Sequence, residues 1–344
     1  MSINTRVART TPIVRLLTRL LMVGSVAALA LSFDAPPALA DPATPTNYRS
    51  EVVETDPAAS GVVFTVVGGD AFLQVSVTPG HSAQIPGYFG EPYVRIDADG
   101  QVWVNVASPA YYINQERYGQ VSIPDDATPQ SPPSWELVAE DGRYAWHDHR
   151  SHWMSDDLPP TVAGDVEVTV FPWQVPVIVD GIDTTVSGEL VWVPSKNPIA
   201  PILAGLIALL PLALLGIRSL GARALLITAG STTAAAVTWL QNGATPASAR
   251  GFSGAVLLPV GALAYLIVVI VKNVSSPRVA NMAGLLAGVL LAAWAVGAIS
   301  TLWMPVLPSM LSPVVERSAV GFVVWVAAAI SASQAFLMVK PVSS

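Results

Sequence analysis

The sequence has no cysteine and little charge. Without cysteine among its 344 residues, the chain cannot form disulfides, zinc–thiolate sites or iron–sulfur clusters, and thiol catalysis and lipid attachment through a lipobox are excluded as well. Charged residues make up 12% of the chain, about half the share that a soluble domain usually carries. Hydrophobic residues make up 52%, so much of the chain is expected to lie in an apolar environment.

The few charges are unevenly distributed. Residues 41–197 hold 22 of the 24 acidic residues and six of the 17 basic ones, a net charge of −16, whereas the rest of the chain carries +9. Such a division predicts two environments rather than one globule. The acidic part offers no basic face for phosphates, so nucleic-acid binding is not expected.

The first forty residues have the pattern of a secretory signal peptide. Four arginines precede an apolar run over residues 20–33, and Ala38-Leu39-Ala40 forms an A-x-A cleavage site. We expect residues 1–40 to be removed, so that the mature chain begins at Asp41. The alternative is an uncleaved membrane anchor. In both cases the arginines stay on the cytoplasmic side, which places residues 41–197 outside the cytoplasmic membrane.

Apolar stretches dominate residues 198–344. Each is long enough to cross about 30 Å of hydrocarbon. Within the bounds given below they contain no Asp, Glu, Lys, Arg or His, which argues against a proton-coupled transporter. Basic residues in alternate loops predict a multi-pass protein of the cytoplasmic membrane with a cytoplasmic carboxyl terminus and the lipid bilayer as partner. The five predicted transmembrane helices cover residues 199–217, 224–240, 254–271, 280–303 and 318–338.

Residues 41–197 have the pattern of β-strands. Short β-branched runs such as 61–67 and 71–77 end in glycine-rich or proline-rich turns, and Asp180-Gly181 joins two further runs. Many short strands with regular turns predict an all-β domain of the immunoglobulin-like sandwich type. The predicted fold class is therefore an external all-β domain followed by a five-helix transmembrane bundle.

Three of the four histidines lie within residues 146–154, which we call the histidine cluster. On a strand, His147 and His149 would share a face, and His152 could complete a metal site after a turn. One hypothesis is that these imidazoles and the Met154 thioether form a copper site. The favoured alternative is a hydrogen-bonded corner that fixes packing without binding a ligand. Neither G-x-S-x-G nor H-E-x-x-H occurs, so no enzymatic activity is expected.

Several sequence strings together resemble a family of uncharacterised actinobacterial multi-pass membrane proteins with an external β domain. The resemblance covers most of the chain from about residue 50 and implies this architecture but no activity. An acidic β domain with histidines is also similar to periplasmic copper-resistance domains, whose site uses an amino-terminal histidine that Asp41 does not supply. The strings are W-H-D-H-R-x-H-W-M at 146–154, E-P-Y-V-R at 91–95, S-P-A-x-Y at 108–112, V-P-x-x-V-D-G at 175–181 and W-V-P at 192–194.

Three functional hypotheses follow. The leading one is a non-enzymatic cell-envelope membrane protein that presents an external binding or scaffold domain, with another membrane or envelope protein as its partner. The alternative is an extracytoplasmic copper-handling protein that uses His147, His149 and His152. The third is a permease component whose path forms only in an oligomer, which the lack of ionisable side chains in the predicted spans makes the weakest.

Overall fold

The structure is a computed structural model that describes residues 41–214, 220–251, 253–271 and 277–339. The predicted signal peptide, residues 1–40, lies outside the described residues. The part of the chain that is described begins with strands and ends with helices. The sequence-based division into a β-rich part and a helical part therefore holds at this level.

The β-rich part contains ten strands and one short helix. The strands are β1 (Tyr48–Asp56), β2 (Val62–Val67), β3 (Phe72–Val77), β4 (Ala83–Pro86), β5 (Pro92–Ile96), β6 (Val102–Asn105), β7 (Trp135–Ala139), β8 (Arg143–Trp146), β9 (Val168–Val179) and β10 (Ile182–Trp192). The short helix, α1 (Pro109–Ile113), begins after Ser108, whose hydroxyl accepts a hydrogen bond from the Ala110 amide and so caps the helix.

The helical part contains five α-helices among the described residues. They are α2 (Ile199–Leu214), α3 (Leu220–Ala244), α4 (Leu257–Val271), α5 (Pro277–Gly297) and α6 (Pro313–Val339). Helix α6 packs against α2, α3 and α5, and α4 packs against α3 and α5. The buried side chains between them include Leu226, Leu291 and Ile330.

Two antiparallel sheets form the β-rich part. The larger has the strand order β1-β10-β9-β4-β5-β6-β7, and the smaller has the order β2-β3-β8. In the larger sheet, Asp180 (φ 50°) and Gly181 (φ 80°) connect β9 to β10. A two-residue hairpin turn needs positive φ at both positions, which an Asp-Gly pair adopts readily.

The sheets bury a common core. Leu73 and Val75 of the smaller sheet belong to the same buried cluster as Ile96 and Val175 of the larger one. The predicted immunoglobulin-like sandwich is nevertheless wrong, because the sheets have seven and three strands. Strands β9 and β10, with 12 and 11 residues, are long enough for β1 to pair along β10 and for β4 to pair with the end of β9, which extends one sheet instead of building two of similar size.

The predicted five-helix transmembrane bundle is wrong as well. Among the described residues, only Val279–Gly297 and Pro313–Leu337 are long and apolar enough to cross a membrane. Helices α2 and α4, as described, have 16 and 15 residues, or about 24 Å at 1.5 Å per residue. Helix α3 has 25 residues, but Arg223 and the polar run 231–233 lower its hydropathy. Two apolar helices suggest membrane association; they do not show how often the chain crosses.

Two helices extend past the limits that the sequence predicted. Because α3 begins at Leu220, it includes Arg223, and because α6 begins at Pro313, it includes Glu316. Both side chains are buried, with 6% of Arg223 and none of Glu316 exposed. The helical part thus contains buried ionisable groups that the hydropathy pattern assigned to loops.

The β-rich part and the helical part are joined by hydrogen bonds. Thr46 and Val306 form an antiparallel bridge in which each amide donates to the other residue's carbonyl, at 3.0 and 3.1 Å. The Ser248 hydroxyl lies 3.0 Å from both the amide and the carbonyl of Ala145. These bonds hold the segment before β1 and the end of β8 against the loops at one end of the helices.

Candidate functional site

The histidine cluster does not continue strand β8. The strand ends at Trp146, and the chain then makes a turn in which the amide and hydroxyl of Ser151 both donate to the Asp148 carbonyl at 2.9 Å. An aspartate that accepts from amides further along the chain favours a turn over a strand. The prediction that His147 and His149 share one face of a strand therefore does not hold.

Asp148 is the polar centre of the cluster. Its carboxylate is fully buried and accepts hydrogen bonds from Trp146 Nε1 at 2.8 Å and from Arg150 Nε and Nη2, each at 2.7 Å. The Arg150 guanidinium also lies 5.1 Å from the ring centre of Tyr88. Burial by itself would raise the pKa of Asp148, but the hydrogen bonds and charge of Arg150 outweigh it and hold that pKa below its usual value.

Both ring nitrogens of His147 lie within hydrogen-bonding distance of other segments. Its Nδ1 lies 2.6 Å from the carbonyl oxygen of Ala71, and its Nε2 lies 3.1 Å from that of Asp41. The ring also stacks on Phe72 at 4.5 Å between centroids. Burial lowers the pKa of His147 more than these carbonyls raise it. The imidazole thus lies between β3 and the segment that begins at Asp41.

His149 faces a third segment. Its Nε2 lies 3.1 Å from the Glu116 carbonyl, and its amide donates to the Tyr88 hydroxyl at 3.1 Å. Burial lowers the pKa of His149. The histidine therefore attaches the cluster to the loop that follows α1.

His152 is the least satisfied of the three imidazoles. It is 1% exposed, its Nδ1 lies 3.2 Å from the Trp153 carbonyl, and its Nε2 is buried without a hydrogen-bond partner among the described residues. Burial, together with the nearby positive charge of Arg117, lowers the pKa of His152 to about 3. The imidazole is therefore neutral throughout the physiological range.

The three imidazoles are neighbours, but their nitrogens point to different partners. The His152 ring centre lies 6.4 Å from that of His147 and 5.2 Å from that of His149, edge to face in both cases. The nitrogens of His147 and His149 that make hydrogen bonds face main-chain carbonyls, and Met154 is 39% exposed. Within the described residues, no group of three or more histidine or acidic side chains could hold a metal ion. The geometry favours the hydrogen-bonded corner.

Sequence reasoning missed the partners of this corner. Arg117 pairs with the buried carboxylate of Asp70 at 2.5 Å, and the Asp41 amide donates to the Gln115 carbonyl at 3.1 Å. The ion pair spans 47 positions, and the contact between His147 and Asp41 spans 106. No local sequence pattern predicts such pairs, and a main-chain carbonyl has no sequence signature because every residue has one.

Comparison of this sequence with known protein families, with curated proteins and with solved structures gives no significant match. The resemblance to an actinobacterial membrane family therefore stays a prediction.

Proposed function

We propose that this protein is a non-enzymatic envelope protein whose β-rich part is held rigidly against membrane helices and serves as a binding or scaffold module. The observation that supports it most directly is the Thr46–Val306 bridge, which ties the segment before β1 to the loop between α5 and α6. A mobile domain on a flexible linker would not need a main-chain bridge of this kind.

A second contact supports the rigid attachment. The Lys196 amide, just before α2, donates to the Trp303 carbonyl at 2.6 Å. Both ends of the β-rich part, the segment before β1 and the segment after β10, are thus bonded to the same loop between α5 and α6. Two attachment points restrict rotation of the β-rich part in a way that a single linker cannot.

The loop between α5 and α6 also bears on the proposed orientation. Helix α5 ends at this loop and α6 starts from it. The start of α5 and the end of α6 therefore both lie at the end of the helices that is away from the β-rich part. With the β-rich part outside, as the signal-like amino terminus predicts, the end of α6 faces the cytoplasm. This agrees with the proposed location in the cytoplasmic membrane with a large extracytoplasmic domain.

The histidine cluster supports a scaffold more than an enzyme. The Asp148 carboxylate accepts hydrogen bonds from Trp146 and Arg150. The two ring nitrogens of His147 lie within hydrogen-bonding distance of main-chain carbonyls. A general acid or base must instead reach the proton of a substrate. These side chains hold the segments around them in place.

An engineered disulfide tests the attachment, and the cysteine-free chain makes the test clean. In a hydrogen-bonded antiparallel pair the Cα atoms lie about 5.5 Å apart, which suits a disulfide. We expect the double variant T46C/V306C to cross-link fully in an oxidising medium. The control pair T46C/M310C should stay reduced, because the Met310 amide is bonded to Leu240 of α3 instead.

Two results would contradict the proposal. If T46C/V306C cross-links no faster than the control pair, the β-rich part is not held as described. If the full chain is released from membranes by alkaline carbonate, the helices are not embedded in a bilayer. A module that survives both tests can then be used, cross-linked and uncross-linked, to capture its envelope partner.

A further inference from the structure

A buried arginine lies where three helices of the helical part meet. Arg223, near the start of α3, is 6% exposed. Its Nη1 donates to Asn281 Oδ1 of α5 and to Gln334 Oε1 of α6, both at 3.1 Å. The guanidinium therefore lies among the helices and not in a loop.

The partners of Arg223 do not balance its charge. Both are neutral amide oxygens, and no carboxylate of the described ranges lies within salt-bridge distance of the guanidinium. Burying a positive charge without an anion is costly, and arginine stays protonated in proteins. The described side chains leave one positive charge unmatched.

The unused hydrogen-bonding groups around Arg223 are donors. Arg223 Nε, Gln334 Nε2 and Tyr265 Oη are each buried without a partner in the described part of the chain. Gln334 is fully buried and Tyr265 is 3% exposed. Helix α4, which carries Tyr265, packs against both α3 and α5. A buried positive charge surrounded by unused N–H and O–H groups is suited to an anion.

The position of these groups along the helices restricts the source of the anion. Gln334 is 21 residues after Pro313, the first residue of α6 and of a segment apolar enough to cross a membrane, or about 30 Å along the helix at 1.5 Å per residue. That distance equals the hydrocarbon thickness of a bilayer. The end of α3 leads into the loop that contacts β8, so Arg223 lies at the far end, as do the start of α5 and the last turns of α6.

We propose that Arg223, Tyr265, Asn281 and Gln334 form a phosphate-binding site, filled by the headgroup of an anionic phospholipid in the leaflet that faces away from the β-rich part. Guanidinium groups bind phosphate through paired N–H donors, and the Tyr265 hydroxyl and Gln334 amide add further donors. The phosphate chemistry is independent of what the β-rich part binds; the lipid as its source rests on the proposed membrane location.

Thermal unfolding of the full chain in detergent tests this site with three probes: phosphatidylglycerol, phosphatidylcholine and inorganic phosphate. We expect phosphatidylglycerol to raise the melting temperature more than phosphatidylcholine. R223Q should weaken the phosphatidylglycerol effect by at least about tenfold in half-saturating concentration. Y265F, which removes one unused hydroxyl, should weaken it by a smaller factor.

The control variant is R250Q. The Arg250 guanidinium lies at the opposite end of α3 and donates to the carbonyls of Gly243 and Thr245. R250Q removes an arginine with satisfied hydrogen bonds, so it should respond to phosphatidylglycerol like the unsubstituted chain. A response that is lost equally in R250Q and R223Q would overturn the site, because general charge attraction would then explain it.

The remaining outcomes also decide the question. If inorganic phosphate alone stabilises the chain in an Arg223-dependent way, the anion site stands and its source is a free anion. If R223Q fails to fold, Y265F and native mass spectrometry of retained lipid on the unsubstituted chain give the answer. No stabilisation by any probe, with no retained anionic lipid, would end the proposal while leaving the disulfide test of the β-rich part unaffected.

Discussion

Lowering the pH should destabilise this fold through the protonation of His152. His152 is 1% exposed, and its Nε2 has no partner among the described residues. Burial comes first among the causes that lower its pKa to about 3, followed by the charge of Arg117, with the other two histidines adding smaller repulsions. An unfolded chain would bind a proton at this imidazole near pH 6.5. Between these values the unfolded state binds more protons, so stability falls as the pH is lowered.

The size of the effect follows from the two pKa values. For a group that titrates at about 6.5 when unfolded and about 3 when folded, lowering the pH from 7.5 to 4.5 removes about 2–3 kcal/mol of stability. His147 and His149, whose pKa values are also lowered, act in the same direction. The carboxylate of Asp148 contributes little in this window, because an unfolded aspartate titrates at about 3.9 and the Arg150 guanidinium holds the folded pKa of Asp148 lower still.

The assay is thermal unfolding of the full chain in detergent at pH 7.5, 6.0 and 4.5. H152L replaces an imidazole whose Nε2 makes no hydrogen bond, so it should reduce the loss between pH 7.5 and 4.5 by about 2 kcal/mol. H81Q is the control, because the His81 side chain is about one-third exposed and bonded to Asp180. The reasoning is refuted if H152L and H81Q lose stability equally with acid, or if the chain is as stable at pH 4.5 as at 7.5.

Three further substitutions test the corner and its surroundings. H147A/H149A should lower stability by roughly 1–3 kcal/mol for each buried group left unsatisfied, with no effect of Cu(II) on the melting temperature of the unsubstituted chain; copper stabilisation that the double variant abolishes would restore the metal hypothesis. D148N should cost about 3–5 kcal/mol, since it leaves a guanidinium poorly paired, and equal stability across a urea titration would contradict this. G142A should destabilise far more than G164A: both positions have positive φ, but a Cβ would lie 2.5 Å from a carbonyl oxygen of β3 at Gly142 and would meet nothing within 4 Å at Gly164.

Local patterns predicted the β-rich part well. The β-branched runs 61–67 and 71–77 correspond to β2 and β3, and Asp180-Gly181 indicates the turn between β9 and β10, because each signal lies within a few residues. The order of the strands in the sheet, in contrast, depends on contacts between residues that are far apart in the sequence. The pairing of β1 with β10 joins Tyr48 to Trp192 across most of the β-rich part, and no local pattern distinguishes it from other pairings.

The histidine cluster shows the same limit. Its unusual composition identified it, and the hydrogen-bonded corner was the favoured interpretation. The partners remained invisible because His147 and His149 bind carbonyl oxygens of Ala71, Asp41 and Glu116. Every residue has a carbonyl, so the partner of a buried imidazole is decided by topology and not by residue type.

The sequence-based prediction of the helical part was wrong for a different reason. A hydropathy window averages over residues and ends a span where charges begin, so it assigned Arg223 and Glu316 to loops. A helix continues as long as its main-chain hydrogen bonds do, and a charge can enter it if side chains on neighbouring helices receive that charge. Asn281 and Gln334 accept hydrogen bonds from Arg223, and Gln241 Nε2 donates to Glu316 Oε1 at 2.7 Å.

These two buried charges cannot neutralise each other. Gln241, which binds Glu316, lies 18 residues after Arg223 on α3, or about 27 Å along the helix axis. At that distance and an effective dielectric constant of about 20, their attraction is only about 0.6 kcal/mol. Each group therefore depends on its own neighbours: Glu316 Oε1 accepts from the Gln241 amide while Oε2 has no partner among the described residues. Arg223 donates to two neutral amide oxygens and keeps Nε free for the proposed anion. A positive charge at the end away from the β-rich part also agrees with the preference of arginine for the cytoplasmic face. The residue that the hydropathy pattern left in a loop thus supports both the proposed orientation and the proposed lipid site.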